Sequence, residues 1–140
     1  MRYLRDKRNY VVKLSPGEQV MASLMDLARG ERLAGAELRG IGAVNQARIG
    51  FFQPLERRYD TRDLHENLEV VSLLGSLAYG DQGPMVHAHV SLGRSDFSLV
   101  GGHLFEATVS VTMEVFVTPT SKRLERELDQ RFDLNLLKLG

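Results

Sequence analysis

Ala107-Thr-Val-Ser-Val-Thr-Met-Glu-Val-Phe-Val117 is the stretch that decides the fold. Successive side chains of an extended chain point to opposite sides, so Ala107, Val109, Val111, Met113, Val115 and Val117 share one face while Thr108, Ser110, Thr112, Glu114 and Phe116 share the other. Such alternation describes a strand that buries one side in a core. The same period runs through Met85–Leu92, where Val86, Ala88, Val90 and Leu92 form a continuous apolar face and Met85, His87, His89 and Ser91 stand opposite.

Working outward, short β-rich segments separated by Gly, Pro, Asp and Asn fill the chain from Ala34 onward. Strands are predicted over 35–41, 43–52, 68–79, 84–92, 97–100 and 107–118, with a further β-prone run over 8–14 around Tyr10-Val-Val12. One segment has helical period instead: Val20, Met21, Leu24, Leu27 and Ala28 recur on one face. Ser15-Pro-Gly-Glu18 supplies a cap, a first-turn proline and a capping-box glutamate, and Gly30 an end, so a helix is predicted over 16–29. After Pro119, Thr120 or Ser121 can cap a short charged helix reaching about Gln130. The apolar tail Phe132–Leu139 then needs cover from its own sheet or from a neighbouring subunit. The fold class is α+β: a twisted, mainly antiparallel β-sheet of about six to eight strands, one main helix and a short C-terminal helix, in one domain over 1–140.

The chain has 140 residues, and its 18 basic and 18 acidic residues cancel. Nucleic-acid-binding domains usually carry a basic excess, so bulk charge does not predict DNA binding. Arg2, Arg5, Lys7 and Arg8 make a short basic terminus, of a kind more often solvated than functional. No apolar run approaches the roughly twenty residues that span a bilayer, and the start has no apolar signal core; a cytoplasmic protein with no membrane partner is expected. With no cysteine, a transition-metal site must use histidine and carboxylate ligands.

Three of the four histidines, His87, His89 and His103, fall close together. His87 and His89 share a strand face, spaced about 6.6 Å apart. A turn with Arg94 and Ser95 at its tip returns the chain so that His103 comes within a residue or so of the partner of His87. Opposed Cβ atoms lie about 5 Å apart, within reach of a common ion about 2.0–2.1 Å from each nitrogen. A divalent metal is the expected cofactor, zinc first, since three neutral imidazoles leave one position open; nickel, iron and manganese also suit the set. Gly101 and Gly102 permit either a bulge or a bend beside it. Glu114 could orient a histidine, accept a proton, complete the coordination or be merely solvated. Arg39 could hold a substrate carboxylate or pair with a surface or subunit partner. His65 lies in a polar segment and reads as non-functional.

The ordered series Tyr10-Val-Val-Lys-Leu-Ser-Pro-Gly-Glu18, Gly40-Ile-Gly-Ala-Val44, Leu68-Glu-Val-Val-Ser-Leu-Leu-Gly75, His87-Ala-His-Val-Ser-Leu92, Gly101-Gly-His-Leu104 and Met113-Glu-Val115 resembles the plants-and-prokaryotes-conserved (PPC) domain over about 9–118. The resemblance implies a compact α+β domain assembled as a homotrimer. It also implies a distant kinship with the acetolactate decarboxylase fold, whose zinc is held by a His-x-His pair and a later histidine, matching His87, His89 and His103. Glu69 is the family glutamate that survives in the Glu66–Val71 segment, as a group supporting the site or as an ion-pair member. Plant members follow AT-hook segments and bind DNA; this chain has no Arg-Gly-Arg-Pro core. Two functional expectations result: a metal-binding PPC protein of unknown substrate, or a nonenzymatic DNA-binding or regulatory protein.

Overall fold

The computed structural model describes residues 1–139. In chain order it contains β1 (Arg2–Asp6), β2 (Asn9–Leu14), α1 (Val20–Gly30), β3 (Ala36–Gln53), β4 (Arg58–Leu64), β5 (Leu68–Gly80), β6 (Gly83–Gly93), β7 (Leu99–Pro119), β8 (Glu125–Asp129) and β9 (Leu134–Lys138). The nine strands belong to one sheet, antiparallel throughout except where Tyr79 of β5 meets Glu125 of β8. The α+β architecture with one main helix is the one the alternation predicts.

Two long strands organise it. β3 and β7 pair from Ala36↔Pro119 to Gly50↔His103, with bulges that bend both. β5 pairs with the first half of β3, β6 with β5, and β6 in turn with the start of β7, Leu99 to His103, so the circuit β3–β5–β6–β7 closes on itself. The enclosed space is filled by Val44, Leu68, Leu73, Val90, Leu92 and Val109, among other buried side chains, and α1 adds Val20, Met21, Leu24, Leu27 and Ala28. The predicted strands 35–41 and 43–52 are one continuous β3, and 97–100 and 107–118 one continuous β7, because bulges absorb the glycines without breaking the ladder.

Three sequence expectations are corrected. The helix begins at Val20 rather than at 16: Pro16 and Gly17, with φ +86° at Gly17, form a turn in which the Glu18 amide donates to the Ser15 carbonyl at 3.1 Å. Proline second and a positive-φ glycine third is the type II arrangement, incompatible with a helix through Gly17. Glu18 does accept the Ser15 amide at 2.7 Å, but the helix end itself is capped from β7, where the Glu106 carboxylate accepts the amides of Met21 at 2.7 Å and Ala22 at 3.2 Å.

The short C-terminal helix does not form. The segment is the hairpin β8–β9, paired from Glu125↔Lys138 to Asp129↔Leu134. Asp129 accepts the Arg131 amide at 2.8 Å and Asp133 adopts φ +57°, so local side-chain bonding favours the turn over a helix. The sheet edge then captures the strand, the Tyr79 amide donating to the Leu124 carbonyl at 2.9 Å.

The third correction is register. His103 faces His89, not a position near the partner of His87. The loop is Arg94–Ser98, closed by the Arg94 amide on the Ser98 carbonyl at 2.9 Å, with Phe97 at φ +66° taking the left-handed position. That role normally falls to glycine, so the longer loop carries no signature in the sequence.

Candidate metal centre

The histidines stand where their strand periods place them. Ala88, Val90 and Leu92 turn inward and are buried, which forces His87 and His89 onto the outer face of β6. His89 lies across the ladder from His103 on one side and from Leu74 on the other, while His87 lies across from Ser76. The three rings form a cluster with centroids 5.2 Å apart for His87–His89, 5.1 Å for His87–His103 and 5.7 Å for His89–His103. One ligand nitrogen from each lies within 4.8 Å of the others. A tetrahedral ion at about 2.05 Å from each would draw those nitrogens to about 3.3 Å, a closure that side-chain rotation of the exposed His89 and its neighbours can supply.

The wall beside His103 is aromatic. Tyr59 of β4 and Phe105 of β7 lie 4.9 Å and 4.8 Å from its ring, and 5.2 Å from each other. Gly50, the β3 partner of His103, makes room for them: a Cβ there would stand 2.7 Å from Phe105 and 2.9 Å from Tyr59. Neighbouring Gly102 has φ +153°, and a Cβ on it would stand 2.5 Å from the Gly50 carbonyl oxygen. The glycine pair serves close backbone approach, Gly102 against β3 and Gly101 against Val90 of β6, while the β6–β7 register runs unshifted through both.

Burial first, and neighbouring positive groups second, favour the neutral forms of His87 and His103. His103 is pushed down to about 4, first by burial and then by the positive forms of His87 and His89 and by Arg126. His87 is lowered by burial, then by Arg126 and His89. Burial also raises the Tyr59 hydroxyl. The His103 Nδ1 is buried without a hydrogen-bond partner. A neutral ring with an orphaned nitrogen, turned toward two more imidazoles with no carboxylate in the group, fits a borderline-soft divalent metal.

Arg126, which sequence reading assigned to a helix, reaches this centre from β8. Its Nη2 donates to Ser76 Oγ at 3.0 Å and stands 3.3 Å from His87 Nδ1, and its Nη1 donates to the Asn135 carbonyl at 3.1 Å. Tyr59 was also missed, since β4 was not predicted. Arg39 and Glu114 are elsewhere: they line a shallow depression of about 410 Å³ with Ile41, Leu74 and Phe116, which holds no histidine. Glu69 joins Glu114 in an adjoining depression with Val71 and Thr112. His65 lines a small pocket with Gln19, Arg48 and Asp63.

Residues 1–121 match the model of the Plants and Prokaryotes Conserved (PCC) domain. Among solved structures, a protein of Ralstonia eutropha named provisionally as DNA-binding is 32% identical, with a TM-score of 0.92 over 99% of this chain and 96% of that one. A metal-containing protein of Archaeoglobus fulgidus is 31% identical, with a TM-score of 0.87 over 99% and 97%. The α-acetolactate decarboxylase of Bacillus subtilis, at 11% identity and a TM-score of 0.55 over 87% of this chain and 57% of that one, shares the fold alone. No curated protein matches the chain.

Proposed function

The chain belongs to the Plants and Prokaryotes Conserved domain family, and from that premise we propose that it is a metal-binding member in which His87, His89 and His103 hold a divalent ion, zinc first. The observation that carries the reading is the meeting of three imidazole nitrogens within 4.8 Å, one of them on a ring with a buried, unbonded nitrogen. The Archaeoglobus relative, described as metal-containing, supports it. Such an ion, when bound, polarises a carbonyl or lowers the pKa of a water in its open position. The chain's own contributions are the lowered pKa of His87 and His103, which keeps a lone pair on each ring near neutral pH, and the aromatic Tyr59–Phe105 wall beside His103. Elemental analysis of protein made without a polyhistidine tag tests the reading. About one metal per chain, lost in His87→Ala and His103→Ala, is the expected result; protein that neither carries nor takes up metal refutes it.

The proposal extends to assembly: one domain over 1–140, working in the cytoplasm as a homotrimer. Ile41, Val71, Leu74, Val111 and Phe116 are exposed on the outer side of β3, β5 and β7, Val111 to 67% and Leu74 to 60%. A face with this many exposed apolar side chains, set among Arg39, Glu69 and Glu114, suits a subunit partner.

A second reading, DNA association without catalysis, has the name of the Ralstonia relative behind it. The basic terminus also supports it: Arg2, Arg5, Lys7 and Arg8 are all exposed on the β1–β2 edge hairpin, and Arg2 stands opposite Lys13. Like charges placed across a ladder repel, and phosphate would relieve them. Binding to mixed-sequence duplex that weakens steeply with salt is the expected behaviour; absence of binding at moderate ionic strength refutes this reading.

A further inference from the structure

Among the described residues Arg126 is a cation without an anion. Its Nε is buried with no hydrogen-bond partner, and among the described residues its guanidinium bonds only to a hydroxyl, a carbonyl and an imidazole. No ion pair among the described residues includes it. A half-buried guanidinium with an unmet donor is costly, and its position beside a centre suited to a second cation makes it costlier.

Imidazole chemistry sharpens the point. Arg126 can only donate, so its contact with His87 requires the Nδ1 lone pair. A neutral imidazole has one such lone pair. If His87 gives Nδ1 to a metal, Arg126 loses its acceptor directly. If His87 uses Nε2 instead, the ring proton moves to Nδ1 and the guanidinium faces a donor. Either way, loading the centre leaves Nη2 one acceptor short, beside the Nε that already lacks one. Ser76 and Asn135 still hold the fork in place.

We propose, on the basis of the metal reading above, that Arg126 makes this a site for an organic carboxylate, clamped by the guanidinium beside the three-histidine centre. The planar fork of arginine matches a carboxylate in two parallel bonds. The Tyr59 and Phe105 rings across His103 offer the apolar surface that a carbon body would cover and a bare inorganic oxyanion would not.

The test uses zinc and benzoate, with benzamide as a neutral isostere and inorganic phosphate as the competing oxyanion, titrated by calorimetry into wild type, Arg126→Gln and Arg126→Lys. The expected pattern has opposite signs. Arg126→Gln binds zinc as tightly as wild type or more tightly, because a like charge has gone, yet the zinc-loaded variant binds benzoate at least about tenfold more weakly. Benzamide binding stays level, and Arg126→Lys, which keeps the charge but not the fork, falls between. Ser76→Ala, which removes one anchor of the guanidinium and little else, weakens benzoate in the same direction if Arg126→Gln proves unstable. Equal benzoate affinity in zinc-loaded wild type and Arg126→Gln overturns the proposal, as does phosphate binding tighter than benzoate. Failure of wild type to bind zinc at all is a different result: it overturns the metal reading and this one with it.

Discussion

His89 and His103 are direct partners across the β6–β7 ladder, their rings 5.7 Å apart, and His87 joins them from two residues along the same strand. The three imidazoles are therefore placed by paired backbone. A ligand set built on strands needs little reorganisation to close, so metal binding should appear mainly as stabilisation of the folded chain. At free metal about 1,000 times Kd the gain is about 4 kcal/mol, or roughly 10–15 °C in melting temperature for a chain of this size. Calorimetric melts of chelated and zinc-loaded protein should show that rise, and His89→Ala or His103→Ala should abolish it.

The metal-free protein should weaken as pH falls. In the folded state His103 is held at about 4 and His87 is also lowered, so the unfolded chain takes up protons first, near 6.5. Stability is then complete above about 6.5 and declines through the window down to about 4, below which it levels. The full interval for His103 corresponds to about 3 kcal/mol; because half of the ring meets solvent, roughly 1 kcal/mol between pH 7 and 5 is expected. Urea titrations in chelator should show this slope, and His103→Gln should flatten it.

How much of this was legible follows the range of the interactions involved. Alternation in Met85–Leu92 and Ala107–Val117 reports a local fact, one face in and one face out; it placed His87 and His89 correctly but misplaced Val111, which is exposed rather than buried because the β3–β7 register shifts between Val109 and Met113. Register is a long-range fact: it turned on Phe97 adopting a left-handed conformation, which no residue rule anticipates. Arg126 was hidden because the charged segment after Pro119 has helical propensity in isolation. The backbone of Tyr79 at a sheet edge overrode that preference. The helix start failed for a related reason: Ser15–Glu18 reads equally as a capping box and as a turn, and Glu106, 85 residues from Met21, supplied the cap.

Two glycines near the centre should differ in their tolerance of alanine. At Gly50 a Cβ meets the Phe105 and Tyr59 rings, which can swing, so about 1–2 kcal/mol is expected, with weakened metal binding as His103 loses its neighbours. At Gly102 the backbone lies at φ +153° and the obstacle is the Gly50 carbonyl oxygen at 2.5 Å. Strain and backbone overlap together should cost about 3 kcal/mol or more. Denaturant midpoints for Gly50→Ala and Gly102→Ala should fall in that order.

Glu106 ties α1 to β7 through its bonds to the Met21 and Ala22 amides. Replacing it with alanine removes a cap supplied from another element and should cost about 1–2 kcal/mol, at the upper end of ordinary capping effects. Glu106→Gln keeps an acceptor oxygen and should recover about half. Neither variant touches the histidines, so zinc stoichiometry should stay at one per folded chain in both.

Val111 is exposed on the outer side of the sheet, where it shares one depression with Val71 and Leu99. If that face joins copies in a trimer, Val111→Lys places a long charged side chain within desolvated surfaces, and dissociation should follow. Wild type should sediment as a trimer at micromolar concentration and the variant as a monomer. Because Val111 is 67% exposed in the single chain, the monomer should keep its fold, and its far-UV spectrum should match that of wild type. A wild type that sediments as a monomer would instead leave this apolar face to some other partner, and the substitution would then change solubility alone.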